Sequence, residues 1–266
     1  MSWRPPRGAL AELVAAARED CATRRQARPT LMNEVLRNRR RPLGFAAALA
    51  DRTRGFPLIC EVKRASPSVG AIRAVDAPAQ AAAYERGGAR CISVLTETRR
   101  FGGSLADLSH VRAAVTLPIL RKDFVVDPYM IFEAAEVGAD AVLLIVGAVE
   151  PAALAELYGC ARELGLDALV EVVQPFEFEH LERAPSPIVG INARDLETLE
   201  VDPARFGRVA PQLQRVGRTL VAESGIREPA DIARLASEGA GAGLVGESLM
   251  RAPDAAEAVR RLTEAS

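Results

Sequence analysis

The chain has 266 residues, 49% of them apolar, and its 34 basic and 35 acidic side chains leave a formal net charge of −1. That size and apolar content suit one large domain such as an α/β barrel, and the near-neutral balance excludes the strongly basic surface that binds nucleic acid or acidic membranes. No apolar run reaches the roughly 18 to 20 residues that span a bilayer, and Met1 to Leu10 lacks the apolar region of a signal peptide, so a cytoplasmic protein is expected.

From the N-terminus, Leu10, Leu13, Val14 and Ala17 recur at helical spacing, Pro29-Thr30 interrupts, Leu31, Met32, Val35 and Leu36 resume, and Gly44 to Arg52 reads as a further short helix. Arginines cluster at 24, 25 and 28 and at 37, 39, 40 and 41, and are expected to form a solvated helix face and loop. Eight short apolar runs follow: Pro57–Val62, Cys91–Leu95, Leu117–Leu120, Ala141–Val146, Ala168–Val173, Pro187–Ile191, Leu220–Ala222 and Gly243–Val245. Most are continuous rather than alternating, as parallel strands covered on both faces require. Helical patterns separate them, opened by an acid or amide before proline at Asp127-Pro128, Glu150-Pro151, Gln174-Pro175, Asp202-Pro203 and Glu228-Pro229. Glycines before the next strand, at Gly88, Gly138, Gly165 and Gly239, read as helix C-terminal glycines.

This alternation predicts an α/β fold, a (β/α)₈ TIM barrel forming a single domain over 1–266, with 1–54 as an N-terminal helical extension that covers one end. An open doubly wound sheet competes, but the strand count and the lack of GxGxxG after the first strand weaken it. The four cysteines form no CxxC pair and read as buried free thiols in a reducing compartment. His110 and His180 lie in helical segments with no metal-ligand spacing, so no metal site is expected.

In such a barrel, function sits at the C-terminal ends of the strands. Glu61 and Lys63, two residues apart on the first strand, share a face. Only two of the 34 basic residues are lysine, Lys63 and Lys122; where arginine serves every generic positive charge, a retained lysine points to proton chemistry. The ends of the third, fifth, sixth, seventh and eighth strands supply Lys122-Asp123-Phe124, Glu171, Asn192 to Asp195, Glu223-Ser224-Gly225 and Gly246-Glu247-Ser248. Buried charges are costly unless paired or used, so the set is either an ion-pair network or a site with ammonium acids and a carboxylate base. Ser224-Gly225 and the Gly246 turn offer backbone N–H groups where this fold often takes phosphate, or are ordinary turns. Ser66 and Lys63 add a hydroxyl and a cation. Phe101, in the Gly-rich stretch Phe101-Gly102-Gly103-Ser104, is placed to cover an apolar substrate, while Ser104, three residues before Asp107, has capping spacing. Phe124 and Leu143 fit an apolar wall or the core equally well.

With these motifs in view, the chain resembles the indole-3-glycerol phosphate synthases of tryptophan biosynthesis. The resemblance rests on the stretches 61–68, 93–97 with 101–104, 118–124, 138–146, 169–172, 190–196, 222–226 and 245–250, which together touch every strand end. Val69 departs from a loop lysine common in the family. The resemblance implies a cofactor-free, decarboxylating and dehydrating ring closure of 1-(2-carboxyphenylamino)-1-deoxyribulose 5-phosphate. It also implies roles. Lys122 would be the general acid at the ketone oxygen and Glu171 the base or cation stabiliser. Lys63 would be a second acid or carboxylate anchor, balanced by Glu61. Asn192 would hydrogen-bond the reacting region, and Glu223 and Ser224 would hold the ribulose hydroxyls and reacting groups. Ser66, Gly225, Gly246 and Glu247 would receive the phosphate, and Arg194, Phe101, Phe124 and Leu143 would complete the substrate pocket. The only partner implied is the phosphorylated small-molecule substrate, with no nucleic acid or membrane; association with other enzymes of the tryptophan pathway stays open. Three rivals remain: a sister barrel such as a phosphoribosylanthranilate isomerase, a Schiff-base aldolase using either lysine, and a catalytically silent binding barrel.

Overall fold

The structure, a computed structural model, describes residues 3–66, 70–73, 75–215 and 217–265. Pro67, Ser68 and Val69, and with them the departure at Val69, lie outside the described residues. Three helices come first: α1 (Gly8–Ala27), α2 (Leu31–Arg37) and α3 (Phe45–Ala50). Strand β1 (Leu58–Val62) opens the barrel, and a small antiparallel pair, β2 (Ala65–Ser66) and β3 (Gly70–Ala71), follows it. The chain then runs α4 (Ala77–Arg86), β4 (Cys91–Leu95), α5 (Leu105–Ala114), β5 (Ile119–Lys122), α6 (Pro128–Glu136), β6 (Ala141–Ile145), α7 (Pro151–Glu163) and β7 (Asp167–Val172). A 3-10 segment (Pro175–Arg183) leads to β8 (Ile188–Asn192), α8 (Arg205–Leu213), β9 (Thr219–Glu223), α9 (Pro229–Ser237), β10 (Ala242–Val245), α10 (Glu247–Arg251) and α11 (Ala255–Thr263).

The eight long strands close in the order β1-β10-β9-β8-β7-β6-β5-β4, with β1 parallel to β4 across the seam. This is the expected (β/α)₈ barrel. The strands are almost wholly buried, and the core fills both the barrel interior and the layer beneath the helices. Among the described residues no helix is long and apolar enough to cross a membrane. All four cysteines are free.

Helix punctuation follows the sequence signals in most places. Asp127 accepts from the Tyr129 N–H, and Ser104 caps α5 through the Asp107 N–H. Gln174 and Glu228 form reciprocal capping boxes with Glu177 and Asp231. Gly88, Gly138, Gly165 and Gly239 all have positive φ, between 78° and 99°, where a side chain would be strained. Two expectations need correction. Gln174-Pro175 opens a 3-10 segment rather than an α-helix. Asp202-Pro203 does not start α8: Asp202 instead accepts from the Ala204 N–H in a turn, and the helix begins at Arg205.

The arginine run is a third correction. Much of it is a docking face, not a freely solvated one. Arg24 donates to Glu133 on α6 at 2.6 Å, Arg25 pairs with Asp127, and Arg28 with Glu136. Arg40 reaches the carboxylate of Asp140, which is fully buried at the foot of β6. Asp140 also accepts from Arg112 at 2.9 Å and from the Leu43 and Ile119 N–H groups at 2.6 and 2.8 Å. One carboxylate therefore ties the linker before α3, α5 and β5 together. Breaking a buried pair by removing one partner strands the remaining charge. Asp140→Ala should lower the unfolding free energy by about 3–5 kcal/mol, measured by urea denaturation; a loss below about 1 kcal/mol would show that the cluster is not a structural anchor.

Candidate active site

At the C-terminal mouth of the barrel lies a cavity of about 430 Å³. Every residue to which the resemblance gives a role lines it: Glu61, Lys63, Ser66, Phe101, Lys122, Phe124, Leu143, Glu171, Asn192, Arg194, Glu223, Ser224, Gly225, Gly246 and Glu247. Strand alternation is the reason. Residues at the last inward position of neighbouring strands are held level by backbone pairing, as with Leu95 and Lys122, Ile145 and Glu171, and Asn192 and Glu223. His110 and His180 stay outside. Among the described residues no group of His, Cys, Asp and Glu is arranged to hold a metal.

The polar centre is Lys122. Its Nζ lies 3.6 Å from Glu223 Oε2 and 3.8 Å from Glu171 Oε2, and Glu171 and Glu223 are only 1% and 2% exposed. Burial works against the Lys122 ammonium, but Glu223, Glu171 and Glu61 outweigh it and hold its pKa above the ordinary lysine value. Lys63 Nζ sits 2.9 Å from Glu61 Oε1 on the same strand face. Burial also works against the Glu61 carboxylate, yet Lys63 and Lys122 keep its pKa below the usual carboxylate value. Three buried carboxylates thus face two ammonium groups. The surplus falls on Glu223: burial and the neighbouring Glu171 push its pKa well above the carboxylate range, against the pull of Lys122. Among the described residues, neither Glu223 oxygen, nor Oε2 of Glu171, has a hydrogen-bond partner. Buried acceptors left open in this way fit groups that wait for substrate hydroxyls or protons.

A polar chain orients Glu171. Ser224 Oγ donates to Asn192 Oδ1 at 2.8 Å, the Arg194 N–H donates to the same oxygen at 2.9 Å, and Asn192 Nδ2 donates to Glu171 Oε1 at 3.1 Å. Ser224 adopts φ of 66° and Gly225 φ of 82°. Two successive left-handed residues make a concave backbone turn suited to an anion, and the non-glycine one is strained, as at many ligand-binding turns. Glycines make room for the carboxylates. A Cβ at Gly190 would lie 2.0 Å from Glu223 Oε1, and one at Gly246 2.5 Å from Glu61 Oε1. The opposite wall is apolar, with the Phe101 and Phe124 rings 6.2 Å apart and Leu143 beside them.

Some lining residues carried no signal in the sequence. Leu13 enters the cavity from α1, although its helical spacing speaks only of packing. Leu199 lines it with φ of 67°, and Val201 follows on the short bridge to Arg194. Arg121 was also missed. Its guanidinium, 1% exposed, lies on the outer face of β5 and joins Asp123, Glu133, Thr96 Oγ1 and the Met130 carbonyl. Arg24 reaches the same Glu133 from α1. An adjacent arginine beside a suspected catalytic lysine was the available signal.

Fold and site together define a (β/α)₈-barrel enzyme with lysine and glutamate side chains gathered at its mouth. The chain belongs to the indole-3-glycerol phosphate synthase family, whose model matches residues 10–262. It is 50% identical to indole-3-glycerol phosphate synthase 1 of Streptomyces coelicolor over 262 residues, covering 96% of this chain and 95% of that protein. It is 49% identical to the indole-3-glycerol phosphate synthase of Mycolicibacterium vanbaalenii over 261 residues, covering 96% and 94%. Among solved structures, a thiamine phosphate pyrophosphorylase from Pyrococcus furiosus matches with a TM-score of 0.58 at 15% identity, covering 80% of this chain and 96% of that one; that likeness concerns the fold alone.

Gly190→Ala should push the Glu223 carboxylate off Lys122 while leaving the barrel folded. A misplacement on the order of 1 Å can cost about 10²-fold in rate, and a kcat/KM reduced at least tenfold at near-native melting temperature is the expected outcome. Wild-type kinetics would mean that the Glu223 position is not critical.

Proposed function

We propose that the chain closes the indole ring of 1-(2-carboxyphenylamino)-1-deoxyribulose 5-phosphate, releasing carbon dioxide and water to give indole-3-glycerol phosphate. The observation that carries this reading is Lys122, held as an ammonium between Glu171 and Glu223 in a buried mouth. On one side lies an apolar aromatic wall and on the other an anion-shaped turn. The phosphate would rest on the backbone of Gly225, Gly246 and Glu247 with Ser66. The carboxyphenyl ring would lie against Phe101, Phe124 and Leu143, with Lys63 or Arg194 pairing its carboxylate. Binding energy from these two ends would fold the flexible ribulose chain so that the ring carbon meets the ketone.

In the first step the ring carbon bearing the carboxylate attacks the ketone carbon, and Lys122 gives its proton to the ketone oxygen. The carboxylate then leaves as carbon dioxide and its bonding electrons restore the aromatic ring. In the last step the new hydroxyl leaves as water, protonated by an ammonium, with Lys63 the available second acid. Loss of the remaining proton to Glu171 closes the indole. Glu171 also faces the positive charge that develops on the ring nitrogen, where a preoriented carboxylate stabilises it most. Glu61 pairs with Lys63 and holds it in position, Asn192 aims Glu171, and Glu223 and Ser224 take the ribulose hydroxyls.

The raised pKa of Lys122 supports an acid rather than a Schiff-base nucleophile, which must be neutral to attack a carbonyl. Mixing the protein with the carboxyphenylamino-deoxyribulose phosphate should produce indole fluorescence and carbon dioxide together; well-folded protein without turnover would rule the assignment out. Lys122→Met should lose at least about 10²-fold in kcat, the lower range for one general acid, while still binding substrate. The acid form of Lys122 persists above its ordinary pKa of 10.5. Its protonation therefore sets no alkaline limb in kcat/KM below about pH 10. An alkaline limb near pH 8 that disappears in Lys122→Met would contradict this.

A further inference from the structure

Phe101 stands on a loop with no regular structure, yet the loop has one defined shape. The reason is Glu97, only 7% exposed, at the end of β4. Its Oε1 accepts from the Arg99 N–H at 2.9 Å, and its Oε2 from the Arg100 and Phe101 N–H groups at 2.7 and 2.9 Å. Three consecutive backbone donors thus converge on one carboxylate. The Glu97 carbonyl also accepts from the Gly103 N–H at 2.9 Å, closing the loop on itself. At Gly103 a Cβ would lie 2.1 Å from the Leu95 carbonyl oxygen, so the return is as tight as a backbone permits.

The outer side of the loop is tied differently. Arg99 pairs with Glu19 and Asp20, and Arg100 with Glu12, all on α1. These arginine side chains are 44% and 56% exposed. Exposed pairs contribute little and are screened by salt, whereas charge-assisted bonds to a buried carboxylate are roughly twice as strong as neutral ones. The inner carboxylate therefore dominates the loop's conformation.

We propose that Glu97 is the positioning residue that holds the Phe101 ring against Phe124 and over the aromatic ring of the substrate. The proposal rests on the functional reading above and adds a residue to it: Glu97 lines no part of the cavity and acts through the three amides it binds. Glu97→Gln keeps the shape and removes the charge, placing an N–H₂ where amide donors point.

Amide hydrogen exchange in substrate-free protein gives the first readout. Exchange at Arg99, Arg100 and Phe101 should be slow in the wild type and at least about tenfold faster in Glu97→Gln. In turnover, Glu97→Gln and Phe101→Ala should each raise KM by roughly tenfold with kcat within about threefold. The double variant should be no worse than Phe101→Ala alone, because residues acting through one another are not additive. Arg100→Gln, which removes only an exposed ion pair, should stay within about twofold of wild type. Unchanged exchange in Glu97→Gln, multiplied effects in the double variant, or an equal loss in Arg100→Gln would each overturn the assignment. Wild-type protein that fails to turn over would defeat the functional reading and the ring contact together, and exchange alone would then decide whether Glu97 shapes the loop.

Discussion

The mouth of this barrel depends on one shared cation. Lys122 is the single ammonium within 4 Å of both Glu171 and Glu223 among the described residues; both carboxyl groups are buried, and the lysine side chain is 15% exposed. Charged together with so little solvent, Glu171 and Glu223 would repel each other strongly; the cation between them offsets part of this, and the raised pKa of Glu223 relieves the rest. The same geometry keeps the lysine charged. Lys122 and Glu223 therefore shift each other's protonation, and with Glu171 they form one electrostatic unit rather than three independent residues.

That unit is braced from outside the barrel. On the outer face of β5, Arg121 and Asp123 flank Lys122, and Asp123 accepts from the Phe124 N–H while Thr96 Oγ1 donates to Asp123 Oδ2. The ends of β4 and β5 are locked together directly behind Lys122. Arg121 continues to Glu133, and Glu133 to Arg24 on α1. A mutation in α1 thus has a polar route of three side chains to the strand that carries Lys122. Because buried networks tolerate an unpaired member poorly, α1 and the strand end that carries Lys122 are coupled in stability.

Much of this was legible in the sequence because strands alternate faces with a period of two. Glu61 and Lys63 declared themselves as a pair at that spacing, and the other strand-end residues fell into the same ring once the barrel closed. What the sequence did not carry is contact across long separations on irregular backbone. Leu13 reads as one more apolar position of a helix, and only the path of α1 over the mouth brings it to the cavity. Asp202-Pro203 has the chemistry of a helix start, but the bridge between Arg194 and Val201 places it in a turn, and α8 is delayed to Arg205. The arginine run reads as solvated by composition alone, because its partners Asp127, Glu133, Glu136 and Asp140 lie roughly a hundred residues away.

Rigidity in the site has an unequal distribution. Gly190 and Gly246 leave room for the Glu223 and Glu61 carboxylates and little more, so those acids are confined by backbone on their strands. Asn192 is fixed by one donor from Ser224 and one from the backbone of Arg194. These polar groups are thus held by the protein itself, the kind of preorganisation that electrostatic stabilisation of a developing charge requires. The aromatic wall is different. Phe124 is fixed by a strand end through Asp123, whereas Phe101 depends on hydrogen bonds to one carboxylate within its own loop. Opening that loop would break a few hydrogen bonds and leave the barrel intact, so the two halves of the aromatic wall are held with unequal strength.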